Sequence, residues 1–89
     1  MTKLSEDARA ASHLFRFNPR IDVTFRTPGR IHPRMAAALD ELVQAGVLNL
    51  TKEKSGAYVY RVDDVKKLAS TPKLSQKALR ENSLPITVN

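Results

Sequence analysis

The spacing of apolar residues changes twice between Pro33 and Val62, and the changes divide the segment into a helix and two strands. Met35, Ala38, Leu39, Leu42 and Val43 recur at the three-and-four spacing of a core-facing helical stripe. A helix is therefore predicted over Pro33–Ala45. Pro33 suits its first position, where the missing N–H costs nothing. Gly46 sits where a left-handed residue closes the last turn. Val47-Leu48-Asn49-Leu50 and Tyr58-Val59-Tyr60-Arg61-Val62 then read as strands. Thr51–Ala57 between them reads as a polar turn with Lys52 and Lys54 at its tip.

Upstream, Ser5 can cap a first helix whose stripe is Ala8, Ala11, Leu14 and Phe15, with Glu6 and Asp7 near the positive end of its dipole. Asn18-Pro19 should end it, because the residue before proline is pushed out of the α region. Ile21–Arg26 alternates apolar and polar with β-branched and aromatic residues, which predicts a half-buried strand. Thr27-Pro28-Gly29 matches a type II turn. Downstream, Asp63 or Asp64 can cap a short helix through Val65, Leu68 and Ala69. Thr71-Pro72 repeats the capping logic before a helix over Lys73–Glu81, with Leu74, Ala78 and Leu79 on its apolar side. The tail Ser83–Asn89 alternates Leu84, Ile86 and Val88 and reads as an edge strand, a docking segment or a disordered end.

With 89 residues the chain is long enough for one small core. It has no cysteine, which excludes disulfides and thiolate metal sites and fits a reducing cytoplasm. No apolar run approaches the ~20 residues that span a bilayer, and the first residues lack the apolar core of a secretory signal. A cytoplasmic protein with no membrane association is the expectation. The net charge of +6 is unevenly spread. Arg9, Arg16, Arg20, Arg26, Arg30 and Arg34 face only Asp22 in residues 9–34, whereas residues 35–64 are net acidic. Arginine's planar fork grips phosphate bidentately, so this segment suits a polyanion, nucleic acid above all. A solubilising surface would give the same composition.

A helix running through Leu39, Leu42, Val43, Gly46, Val47 and Leu48 into a basic-tipped hairpin resembles the recognition helix and wing of winged helix-turn-helix proteins. The resemblance covers about residues 5–62. It implies an α+β fold, with helices on a short three-stranded antiparallel sheet over residues 1–71 and a C-terminal helix and tail over 72–89. It departs from the family plan at residues 27–32, which are too short and too rich in proline and glycine for a full second helix. Either that helix is reduced to a single turn here, or the resemblance stops at this point.

The resemblance also implies a function: a non-enzymatic, cofactor-free binder of double-stranded DNA acting in transcription regulation or as an accessory factor. The start of the recognition helix would face the major groove, which nominates Arg30, His32 and Arg34, with Arg34 placed for a bidentate guanine contact. Lys52 and Lys54 would follow the backbone at the wing, and Arg26 and Arg61 would support phosphate contacts from the strands. Each has a plainer reading as a solvated charge. Asp40, Glu41 and Gln44 are the exposed positions further along the same helix, and the two carboxylates would repel phosphates if they faced DNA. A palindromic operator would call for a homodimer, with residues 73–89 as the interface.

A second class of function fits the same residues: a winged-helix protein-interaction module, or a small inhibitor of a larger complex, whose tail at residues 83–89 adds a strand to a partner. Single-strand or RNA binding is weaker, since only Phe25, Tyr58 and Tyr60 could stack on bases. His13 and His32 lack companions for a zinc site, and Asp63-Asp64 is better explained by helix capping. No nucleophile constellation or glycine-rich phosphate loop is present, so catalysis is not expected.

Overall fold

The computed structural model describes residues 4–16, 20, 22–81 and 84–88. In chain order they form α1 (Glu6–Arg16), β1 (Val23–Phe25), a 3-10 turn (Pro28–Arg30), α2 (Pro33–Gln44), β2 (Leu48–Lys52), β3 (Tyr58–Val62), α3 (Val65–Ser70) and α4 (Gln76–Glu81). The result is a small α+β domain in which helices pack against a three-stranded antiparallel sheet of order β1-β3-β2. The expected stops at Asn18-Pro19 and the residue Ile21 lie outside the described residues.

α1 and α2 approach closely because small residues face each other. Ala8 and Ala11 of α1 and Ala38 of α2 are buried, and Phe15, Met35, Leu39 and Leu42 fill the space beside them. Leu14, expected in the α1 stripe, is instead 41% exposed. Its place inside is taken by Ser12, whose hydroxyl donates to the Arg9 carbonyl at 2.6 Å and is thereby satisfied without water. Ser5 caps α1 as expected, accepting from the Ala8 N–H at 3.1 Å. Glu41 of α2 completes the cap, accepting from the Ser5 N–H at 3.1 Å and from its hydroxyl at 2.5 Å. The carboxylate that a capping box normally draws from its own helix here comes from the neighbouring one.

Both glycines of the hairpin region are left-handed, with Gly46 at φ +81° and Gly56 at φ +93°. At Gly46 the α2 terminus forms a Schellman motif. The Gly46 N–H donates to Val43 and the Val47 N–H to Leu42, at 3.0 and 2.9 Å. Leu42 and Val47 are both buried in the core, the apolar contact that accompanies the motif. The chain thus leaves α2 at a fixed angle into β2. That strand runs two residues further than its apolar alternation suggests, because Lys52 pairs with Tyr58 and Thr51 with Val59. The turn therefore begins at Glu53.

Three other expectations change. Gly29 is not left-handed, so Thr27-Pro28-Gly29 forms a single 3-10 turn and no type II turn. α4 starts at Gln76, because the Ser75 hydroxyl accepts from the Ala78 N–H at 3.1 Å. Thr71 does not cap α4; its hydroxyl donates back to the Lys67 carbonyl at 2.8 Å, at the end of α3. Between the two acidic candidates, Asp64 is the α3 cap, accepting from Lys66 and Lys67 N–H groups. α3 buries Leu68 alone, while Val65 is 57% exposed. The tail pairs by one antiparallel bridge, Ile31 with Thr87, alongside the residues that lead into α2. Among the described residues no helix is long and apolar enough to cross a membrane.

Candidate nucleic-acid interface

The seven side chains expected to meet DNA divide into two groups. Phe25, Tyr58 and Lys52 form one row across the three strands, because Phe25 pairs with Tyr58 and Tyr58 with Lys52. Arg26 directly follows β1, Lys54 lies in the hairpin turn after β2, and Arg30 closes the 3-10 turn after β1. Four cations therefore gather at the hairpin end of the sheet. All four are exposed. Lys52 lies over the Tyr58 ring, its Nζ 5.3 Å from the centroid, which orients the ammonium without neutralising it. Arg26, Arg30 and Lys54 have no side-chain partner among the described residues. Glu53 is the one carboxylate in the hairpin turn between Lys52 and Tyr58.

His32, Arg34 and Arg61 are engaged elsewhere. Arg61 pairs with Asn49 in the register, three residues or roughly 10 Å along β3 from Tyr58 and on the opposite face of the sheet. It is bound to Asp22 at 2.9 Å. His32 caps α2, its Nδ1 accepting from the Arg34 N–H at 3.2 Å. Its own N–H donates to the Ile86 carbonyl at 2.9 Å, so the start of α2 is tied to the tail. Arg34 turns back to α1 and holds Asp7 with two bonds, Nε to Oδ2 at 3.1 Å and Nη2 to Oδ1 at 2.9 Å. That hydrogen bonding raises the Arg34 pKa from a value already high. On the exposed side of α2, Gln44 donates to Asp40 at 2.8 Å. Glu41 is occupied by Ser5.

The arginine-rich first half also contributes a set of contacts that the charge count alone does not suggest. Arg9, His13 and Arg16 fall on one side of α1 and together grip the backbone between α3 and α4. Arg9 donates to the Pro72 and Lys73 carbonyls, both at 3.2 Å, and Arg16 to the Thr71 carbonyl at 2.5 Å. His13 Nε2 accepts from the Leu74 N–H at 3.3 Å, which requires that nitrogen to be unprotonated. Burial, helped by Arg16 and Lys73, lowers the His13 pKa from its usual 6.5. Burial also lowers the Arg16 pKa. The signal was present in the spacing of residues 9, 13 and 16, which one helix face must share.

The aromatic residues of the sheet serve the core. Phe25 and Tyr60 meet edge to face with centroids 5.9 Å apart, and burial, with Tyr58 and Asp40 adding to it, pushes the Tyr60 phenol pKa up. No ring stack for unpaired bases forms on this face. A groove of about 650 Å³ lies between the start of α1, the end of α2 and α3. Its Arg9 is already committed to backbone carbonyls, and Glu41 and Lys67 both line it, so its charges are of mixed sign. No group of three or more metal-ligating side chains lies together among the described residues. No protein-family model, curated protein or solved structure matches this chain.

Proposed function

We propose that this protein is a non-enzymatic, winged-helix type DNA-binding module that holds the duplex backbone through the hairpin end of its sheet. The observation that carries this reading is the convergence of Arg26, Arg30, Lys52 and Lys54 on that end, three of them without partners among the described residues. The element order supports it by following the plan that the sequence resembles except at residues 27–32, where a 3-10 turn, Pro28–Arg30, stands in place of a full second helix. The docking it favours differs from base reading by the helix start. Arg34 is already paired with Asp7, and the exposed side of α2 offers Asp40 and Gln44. Such a surface contributes affinity and salt dependence with little sequence discrimination, as an accessory factor or a weakly selective regulator would.

Anisotropy of a labelled random duplex tests it. Wild-type protein should bind at low salt, and Lys52→Ala/Lys54→Ala should weaken binding without unfolding the chain. Absence of binding at low salt from a protein of charge +6 would refute the reading. A second reading, a protein-interaction module or small inhibitor, is favoured by one feature. The tail presents Ile86 and Val88 at 44% and 45% exposure beside a single bridge, as an extended segment ready to pair with a partner's sheet edge would. A charged substitution at Ile86, which does not line the hairpin end, would abolish that function and leave DNA binding unchanged.

A further inference from the structure

Beside the hairpin end lies a hollow of about 350 Å³ between the end of β1, the 3-10 turn and the tail. Arg26 and Arg30 line it, together with Thr24 and Thr27, while Thr87 and Val88 form the tail-side wall. No carboxylate lines it among the described residues. The hydroxyls of Thr24, Thr27 and Thr87 have no hydrogen-bond partner among the described residues. Thr27 stands at the cap position of the 3-10 turn, yet its hydroxyl makes no cap bond. Two arginines and three threonines whose side chains have no partner among the described residues thus surround one concavity, with charged N–H and hydroxyl donors to offer. That is the complement of a phosphate group.

The walls are held independently of any ligand. The Arg30 and Ile31 N–H groups close the turn on Thr27 and Pro28 carbonyls at 2.9 and 3.1 Å. The Val88 N–H donates to the Arg30 carbonyl at 2.7 Å, so the tail residue beside Thr87 is bonded to the residue that supplies one of the guanidinium groups. We propose that this hollow seats one phosphate group, gripped by Arg26 and Arg30, and that the tail completes the seat through the Thr87 hydroxyl. The tail is thereby part of the binding surface. The inference rests on the DNA reading only for the source of the phosphate, which is a backbone phosphodiester if that reading holds and a free phosphomonoester if it does not.

The test is a titration of the isotope-labelled full chain with inorganic phosphate, monitored by amide shifts at constant ionic strength against chloride. Saturable shifts at Arg26, Thr27, Arg30, Thr87 and Val88, absent with chloride, are expected. Arg30→Ala should abolish them. Thr87→Val should weaken phosphate binding by about tenfold, the loss of one hydrogen bond to a charged acceptor, with the melting temperature unchanged and Thr87→Ser restoring affinity. Shifts that chloride reproduces, or a Thr87→Val variant that binds as wild type does, would overturn the seat. A duplex titration on the same samples separates the two readings. Duplex binding without phosphate binding refutes the seat and leaves the DNA reading standing. Phosphate binding without duplex binding supports the seat and assigns it to a free phosphomonoester.

Discussion

Replacing Gly46 with alanine separates backbone geometry from side-chain packing at the joint between α2 and the hairpin. Gly46 has φ +81°, a region in which an L-residue brings its Cβ against the following carbonyl. The cost is about 1–2 kcal/mol. A Cβ at this position would also meet the Lys67 Nζ at 2.6 Å. That atom is the far end of a flexible, exposed side chain, so it can move aside with little loss. The whole destabilisation should therefore come from the backbone. At about 4–8 °C per kcal/mol for a domain of this size, the melting temperature should fall by roughly 4–16 °C. The assay is a double-mutant cycle by urea and thermal unfolding. Lys67→Ala alone should be close to neutral. Gly46→Ala/Lys67→Ala should match Gly46→Ala to within about 0.5 kcal/mol, as independent sites do. If Lys67→Ala restored the lost stability, the clash and not the left-handed backbone would be the cause. A neutral Gly46→Ala would mean that the Schellman closure does not set the hairpin.

Two further outcomes follow from local contacts. His13 is held neutral in the folded state by burial, Arg16 and Lys73, while the unfolded chain takes up a proton near 6.5. Its stabilising share is fully present above that pH and is lost as pH falls through the lowered folded value. Urea midpoints should thus decline below about 6.5, and a His13→Gln variant should show a flatter decline before the carboxylates titrate; identical profiles would disprove the assignment. Asp64→Ala removes an acceptor for the Lys66 and Lys67 N–H groups of a helix that buries only Leu68. It should cost about 0.5–2 kcal/mol in chemical unfolding. Asp63→Ala should stay within about 0.5 kcal/mol.

The helix–glycine–hairpin unit was legible because each of its signals is local: periodicity in α2, the stop at Gly46 and alternation in β3. The Ser5 cap was legible for the same reason, and the α3 cap to within the pair Asp63 and Asp64. Misreadings arose where distant partners decide. Leu14 fits the α1 stripe by spacing, but the close approach of α1 and α2 favours Ser12 inside, where its hydroxyl finds a carbonyl within the same helix. Lys52 belongs to β2 because β3 supplies a partner for it, which no property of Lys52 reveals. Thr71 and Ser75 are both capping residues by type, and the contacts of α3 decide between them.

The candidate interface shows the same division. Charge density singles out an arginine-rich half, but it cannot say which arginines remain available. Arg9 and Arg16 hold backbone carbonyls, Arg34 holds Asp7, and Arg61 holds Asp22. Those pairings span 27 to 64 positions in the case of Arg9, Arg16 and Arg34, beyond the reach of a local pattern. What brings Arg26 and Arg30 to the hairpin lysines is the strand order, in which β3 lies between β1 and β2.

The salt dependence of duplex binding in two variants tests the central claim most directly. Each phosphate contact contributes about −0.9 to the slope of log affinity against log salt. Arg26→Ala/Arg30→Ala should flatten the slope by about 1.8, whereas Arg34→Ala, which removes a guanidinium already bonded to Asp7, should leave it unchanged. A flattened slope in Arg34→Ala, with the wild-type slope kept in Arg26→Ala/Arg30→Ala, would place DNA at the start of α2 and contradict docking through the hairpin end.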